Sequence, residues 1–350
     1  MATGINSVDD LRAVKYASAA EFGLDTINKV LQADLDYFNG EVTRQLEWLC
    51  KPVTEQSMVY GTSAKIEMTE VDEYGVAPSR KNSVGQTVSF PLRLFSSSIG
   101  FTSKYLEIAT PAELTEKYLQ VKKGYAYELN KQIRKAMYNN TNYNFVDRNT
   151  NGVTLAVKQF INADSSVIPD SPAGASFDGA SHTHFMDEPV ISASAVANLV
   201  SNVTEHGHTK GVKLVISLTD KASFIALTGF TALSSQVMVY NATDATIERL
   251  DNSDLENQKI GYWGDVEVWV KPWAVANYVL CVATDADEKP LAYRQRPQAS
   301  LQGLRFMPEN SAYPLISRSM EAEFGFGVYN RTAGGILYFA NATWANPTIS

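Results

Sequence analysis

The chain is short of cysteine, histidine and charge, and it has no long apolar run. Its 350 residues include two cysteines and four histidines, and Asp, Glu, Lys and Arg together make up only 19%. Two thiols cannot frame a disulfide-stapled domain. Cys50 and Cys281 both sit among apolar neighbours, which points to buried thiols in a reducing compartment. No stretch of about 18 apolar residues exists to cross a bilayer, so no membrane partner is expected. A basic start followed by an apolar run is missing too, so no secretory signal is expected. Thirty basic residues against thirty-eight acidic ones leave a net charge of −8, which excludes a nucleic-acid binder held by overall basicity. There is no 20–50-residue repeat and no low-complexity tract. What remains is 45% hydrophobic, too apolar for a disordered chain, with length for two or three domains or one elaborated core.

The N-terminal stretch reads as helix. Ser7-Val8-Asp9-Asp10 supplies a hydroxyl cap with acids in the first turn. Ile27, Val30, Leu31, Leu35, Phe38, Val42, Leu46 and Leu49 recur mostly at spacings of three and four. They make one apolar stripe, interrupted only by Gly40 and ended by Pro52. Such a stripe needs a surface to lie on, and the expectation is that Ile27, Leu31, Leu35 and Phe38 rest on a neighbouring subunit.

Two runs of period two follow. Met58, Tyr60, Ala64, Ile66 and Met68 alternate with polar residues, and Val88, Phe90, Leu92 and Leu94 do the same, as strands do. Between them, Asp72 to Gly85 contains Gly75, Pro78, Asn82 and the basic pair Arg80-Lys81, the composition of a long tip. Pro91, inside the second run, marks an edge. An isolated two-stranded ribbon is marginal in water. The ribbon is therefore either a hairpin at the rim of a larger sheet or an arm projecting onto a neighbour, and alternation does not choose between them.

Thr110-Pro111-Ala112-Glu113 then opens a helix with a cap, a proline at the first position and an acid in the first turn. Its stripe runs through Leu114, Tyr118, Val121, Tyr125, Leu129, Ile133 and Met137 to about Asn139, a span of roughly 45 Å at about 1.5 Å per residue. Residues 139–190 carry clusters of loop-forming residues around a strand-like run at 153–160. A small-residue helix at Ser192–Thr204, a buried strand at Lys213–Leu218 and a helix capped by Asp220 suggest a mixed α/β unit. Strands are expected at Gly264–Val270 and Tyr278–Val282. At the end, Phe324, Phe326 and Val328 alternate with Gly325 and Gly327, and Ile336–Phe339 is expected to return beside them as an antiparallel pair.

The histidines fall in two pairs, His182-Thr183-His184 and His206-Gly207-His208. In an extended chain the i and i+2 side chains share a face, so each pair could chelate one metal. The competing reading places His206 and His208 at a helix C-terminus and His182 and His184 in a polar loop. The spacing matches no established zinc motif. The acidic runs at 251–254 and 285–288 lack the glycine and glutamate of a calcium loop. Gly325-Phe326-Gly327 precedes no helix, so it is no phosphate loop, and there is no Gly-x-Ser-x-Gly elbow. The chain reads as a non-enzyme without a cofactor.

The order of parts is similar to the Hong Kong 97-type (HK97) major capsid proteins of tailed bacteriophages, an α+β capsid fold. The local resemblance lies in Gly264-Asp265-Val266-Glu267-Val268-Trp269-Val270 and in Arg318 to Phe339 with Phe324-Gly325-Phe326-Gly327-Val328-Tyr329-Asn330-Arg331. The resemblance implies an N-terminal arm at 1–56 and an extended loop (E-loop) at 57–100. It implies a peripheral domain at 101–185 with a spine helix at 111–139, an axial domain at 186–317, and peripheral strands at 318–350.

The same resemblance implies pentamers and hexamers of a shell around packaged double-stranded DNA, assembled in host cytoplasm. Portal, scaffold and decoration proteins would be partners. It places Met58, Tyr60, Ile66, Met68, Arg80, Lys81, Val88, Phe90 and Leu92 at extended-loop contacts between subunits. Lys65 and Lys81 are the lysines available for a cross-link, with no surrounding motif for the reaction. The chain starts almost at the arm, so a separate scaffold or a trimmed precursor is expected. Three rival readings are an encapsulin-like compartment shell, a His-cluster metal-dependent hydrolase, and a tail or decoration protein.

Overall fold

The computed structural model describes residues 7–60, 68–71, 73–76, 86–160, 164–168, 171, 175–233, 238–240, 247–249, 257–285, 289–312 and 315–349. Three helices come first: α1 (Val8–Ala13), α2 (Ala19–Phe22) and α3 (Leu24–Leu46). Ser7 and Ser18 cap the first two in reciprocal pairs with Asp10 and Glu21. Gly23, at φ +97°, turns α2 directly into α3. α3 runs unbroken through Gly40 and stops six residues before Pro52, which lies in strand β1 (Cys50–Val53).

β2 (Ser57–Tyr60) and β3 (Gln86–Ser89) pair antiparallel, with Met58 opposite Val88. The second run is not one strand. It breaks at Phe90–Leu92, because Pro91 has no N–H to give a ladder, and resumes as β4 (Arg93–Thr102). After α4 (Ser103–Ile108), α5 (Pro111–Tyr138) has the reciprocal cap between Thr110 and Glu113 and proline at its start. A hairpin of β5 (Tyr143–Val146) and β6 (Thr154–Val157) leads to β7 (Phe185–Asp187) and α6 (Ala193–Thr204).

The central stretch holds β8 (Val212–Ile216), α7 (Lys221–Ile225), β9 (Phe230–Ala232), β10 (Met238–Tyr240), β11 (Ile247–Arg249), β12 (Gln258–Trp263), β13 (Val266–Val270) and β14 (Tyr278–Ala283). Asp220 precedes α7, but its carboxylate accepts from Ser217 and Asn277 instead of capping the helix. The chain closes with β15 (Leu291–Arg294), β16 (Leu304–Phe306), β17 (Asn310–Ala312), β18 (Leu315–Val328) and β19 (Gly334–Tyr338).

Two sheets organise these strands. The seven-stranded sheet has the order β7-β19-β14-β8-β13-β12-β9, with α6 and α7 supplying Val196, Leu199, Val203 and Phe224 to its core. The six-stranded sheet centres on β18, which pairs with β15, β16, β17 and β4, while β1 joins β15 in parallel. The expected C-terminal hairpin does not form: β18 and β19 lie in different sheets. A short 3-10 turn at Arg331–Ala333, capped by Asn330, carries the chain from one to the other. Both sheets cross the domain limits expected from the sequence, since β19 pairs with β14 and β1 pairs with β15. The mixture of helices and largely antiparallel strands is α+β.

The largest core lies where α1, α3 and α5 pack on the six-stranded sheet. It buries Ile27, Leu31 and Leu35 of α3 with Tyr125, Leu129 and Ile133 of α5 and Phe324 and Phe326 of β18.

Candidate functional site

The N-terminal stripe does not wait for a neighbour. Ile27, Leu31 and Leu35 are buried in the chain's own core, and Phe38 packs against it, its ring edge-on to Tyr125 at 6.0 Å. Polar links reinforce this: Asp34 accepts from Tyr118 and Lys122 of α5, both at 2.6 Å, and Asn39 exchanges two hydrogen bonds with Leu304. The expected inter-subunit role of these four residues is therefore corrected. A stripe of this kind reports burial but not whose surface provides it, and α5 and β18 of the same chain provide it here.

The ribbon divides into a held root and an exposed far part. Val88, Phe90 and Leu92, expected at a subunit contact, are buried within the chain, and Phe90 stacks on Tyr329 at 6.4 Å. Met58 is half-buried against the same cluster, and Tyr60 ends β2. Two glycines explain the close seat. A Cβ on Gly325 would stand 2.0 Å from the Pro91 carbonyl oxygen, and one on Gly327 would stand 2.7 Å from the Phe90 ring.

A buried charge pair locks the root. Arg294 donates to the Phe90 carbonyl at 2.7 Å and to Asp147 at 2.8 Å; the two side chains are 3% and 0% exposed. Gln56, just before β2, donates to Asp147 at 2.8 Å. Sequence reading missed this lock because its members are 56, 147 and 294 in the chain, with no local pattern to join them.

Beyond the root, Met68 is 98% exposed, Tyr74 87% and Val76 91%. Met68 and Val76 are thus among the apolar side chains that the described residues of the chain leave exposed. Ile66, Arg80 and Lys81, with Lys65, lie outside the described residues.

The histidines gather differently from the two expected pairs. His182 and His184 stand in the run leading into β7, and His206 follows α6. Nε2 of His206 lies 3.2 Å from Nε2 of His182 and 2.9 Å from Nε2 of His184. The three nitrogens lie within 4.8 Å of one another. His184 Nδ1 donates to the Gly334 carbonyl at 2.8 Å, and its own carbonyl accepts from Ile336, so the residue is pinned to β19 at both ends. Phe177 covers the cluster, with ring centroids 4.5 Å from His182 and 4.3 Å from His206.

Glu205, the last residue of the α6 cap, places Oε1 3.4 Å from His182 Nε2 and 4.0 Å from His206 Nε2. That oxygen and His206 Nδ1 are buried without a hydrogen bond. Burial, helped by the neighbouring imidazoles, pushes His184 and His206 down to about 3, so both rings are neutral at physiological pH. His208 does not join them. Gly207, at φ +86°, turns the chain, and His208 pairs with Thr332 Oγ1 at 2.9 Å. Sequence reading missed Glu205, although its place beside His206 is a signal that could have pointed to it.

No family model matches the chain, and no curated protein matches it. Among solved structures, a chain of Mycobacterium phage Patience superposes with a TM-score of 0.65 at 18% identity, over 99% of this chain and 95% of that one. The capsid of the native GTA particle computed with C5 symmetry gives a TM-score of 0.48 at 11% identity, over 85% and 90%. The holo-SrpI encapsulin complex from Synechococcus elongatus PCC 7942 gives 0.43 at 10%, over 86% and 90%. The fold statement rests on the first: over nearly its whole length the chain shares the α+β fold of that phage protein.

Proposed function

We propose that this chain, folded as a Hong Kong 97-type capsid subunit, is the major capsid protein of a tailed bacteriophage. The observation that carries the reading is the ribbon: a root locked by Arg294 and Asp147, and beyond it Met68 and Val76 in solvent. Large apolar side chains at this exposure favour a partner surface. The partner is a second copy of the chain, as the near full-length likeness to a phage protein supports. Burying Met68 and Val76 on a neighbour would contribute about 1.5–3 kcal/mol each, before ordering costs. Summed over a closed lattice, that drives assembly into pentamers and hexamers.

In this reading residues 57–100 are the extended loop, and 101–185 with 318–350 form the peripheral domain around α5. Residues 186–317 form the axial domain, and 1–56 form an N-terminal region seated on its own subunit. The net charge of −8 suits a shell that surrounds packaged double-stranded DNA without gripping it. Portal, scaffold and decoration proteins would be its partners, and host cytoplasm the place of assembly. The protein acts as a structural subunit and not as an enzyme. No helix among the described residues is long and apolar enough to cross a membrane.

Negative-stain microscopy of the expressed chain tests the reading, beside a variant lacking residues 72–85. Closed shells from the full chain and soluble, unassembled subunits from the deletion are the expected result. Regular shells from the deletion would refute the role of the ribbon. Nuclease-protected DNA in purified particles separates a phage capsid from an encapsulin-like compartment, and rings or tubes would indicate a tail protein.

A further inference from the structure

We propose that His182, His184 and His206, together with Glu205, form a closed structural site for one zinc ion. Zinc–nitrogen bonds of about 2.0–2.1 Å in a tetrahedron set neighbouring donor atoms about 3.3 Å apart. The Nε2 contacts at 2.9 and 3.2 Å and the Glu205 oxygen, 3.4 Å from His182 and 4.0 Å from His206, bracket that edge length. The remaining nitrogen pair lies within 4.8 Å, so the ion would draw His182, on the loop, inward.

Hydrogen bonding alone serves the cluster poorly. His184 gives its Nδ1 proton to Gly334, so its Nε2 carries a lone pair. His206 Nε2 has at most one proton to offer, yet two other imidazole nitrogens press against it. The Glu205 oxygen beside them is buried with no hydrogen bond. A cation at the meeting point accepts all three nitrogen lone pairs and the carboxylate oxygen together. The Gly334 carbonyl then orients His184 as an outer-shell partner orients a metal-bound imidazole. Phe177 roofs the cluster and Glu205 fills the fourth position, which leaves no open place for substrate. The site is therefore structural and not hydrolytic. It ties the run before β7 to the end of α6, and zinc binding there adds to folding stability.

Full-length protein stripped with a chelator is titrated with zinc, and with cobalt(II) as a spectroscopic probe. One equivalent bound with a submicromolar Kd, a tetrahedral cobalt spectrum and a Tm raised by zinc are expected. Glu205→Gln is expected to weaken binding by at least about tenfold, the loss typical of even an outer-shell partner. His206→Ala should abolish binding, and His182→Ala, on the loop side, should do the same if the buried His206 variant does not fold. His208→Ala should bind as the wild type does. An apoprotein that takes up no zinc at micromolar concentration would overturn the proposal. So would an octahedral cobalt spectrum, or His182→Ala and Glu205→Gln variants that bind normally.

Discussion

Replacing Asp147 by alanine isolates the charge pair at the ribbon root. Asp147 is fully buried and Arg294 nearly so, and a 2.8 Å ion pair joins them. The substitution strands a guanidinium away from water, and breaking a buried pair in this way costs about 3–5 kcal/mol. The pair is itself incompletely satisfied, since Asp147 Oδ1 and Arg294 Nε have no hydrogen bond. A double variant, Asp147→Ala with Arg294→Met, removes both charges. It leaves the Phe90 carbonyl without its donor and Gln56 without one acceptor, for a loss of about 1–3 kcal/mol. The double variant is thus expected to be more stable than Asp147→Ala alone, with a coupling of about 2 kcal/mol. Urea unfolding of the four proteins measures this through midpoint and slope. A single variant that loses less than about 1 kcal/mol, or a double variant that loses the sum of both singles, would refute the reasoning.

Four further variants test other parts of the fold. Gly325→Ala sets a methyl group against the Pro91 carbonyl and should lose at least about 1–3 kcal/mol. Gly124→Ala, in the α5 interior with no atom within 4 Å of the new Cβ, should gain about 0.5–1 kcal/mol; thermal melts of both variants check the contrast. Burial opposes ionisation of Asp164, but hydrogen bonds from Arg331, Ser166 and Asn142 outweigh it and hold the carboxyl far below the usual carboxylate range. Its folded-state value is depressed, so its contribution is full above about pH 4, the unfolded value, and fades as pH falls further. The stability gap between wild type and Asp164→Asn should accordingly shrink below pH 4 in urea titrations, and a constant gap would contradict this. Leu35→Asp buries an unpaired carboxylate in the subunit's own core, so it should abolish soluble folded subunits and not merely assembly, as circular dichroism of the soluble fraction would report.

Elements with local signals were legible in the sequence. The expected spine helix at 111–139 is α5, because Thr110, Pro111 and Glu113 set its start within four residues. α6, β8 and β14 were legible for similar reasons of period and capping. What periodicity does not carry is the identity of the covering surface. The stripe of α3 looked unpartnered because its cover, α5 and β18, comes from residues 111–138 and 315–328. The glycine alternation at 325 and 327 read as half of a hairpin. It is instead a bare track on which the ribbon root crosses, and β19 pairs with β14 and β7. The histidine centre was half visible: residue types and pairs pointed to a ligand set. The turn at Gly207, which sends His208 to Thr332 and leaves Glu205 at the cluster, is a backbone property that pair spacing does not encode.

In an assembled shell, apolar ribbon side chains gain cover from another copy of the chain. Val76→Cys measures that directly, because the native thiols Cys50 and Cys281 are both buried and leave the new one as the reactive site. A thiol reagent should label Val76→Cys readily in dissociated subunits and slowly in assembled particles. Equal labelling in both states would contradict the account.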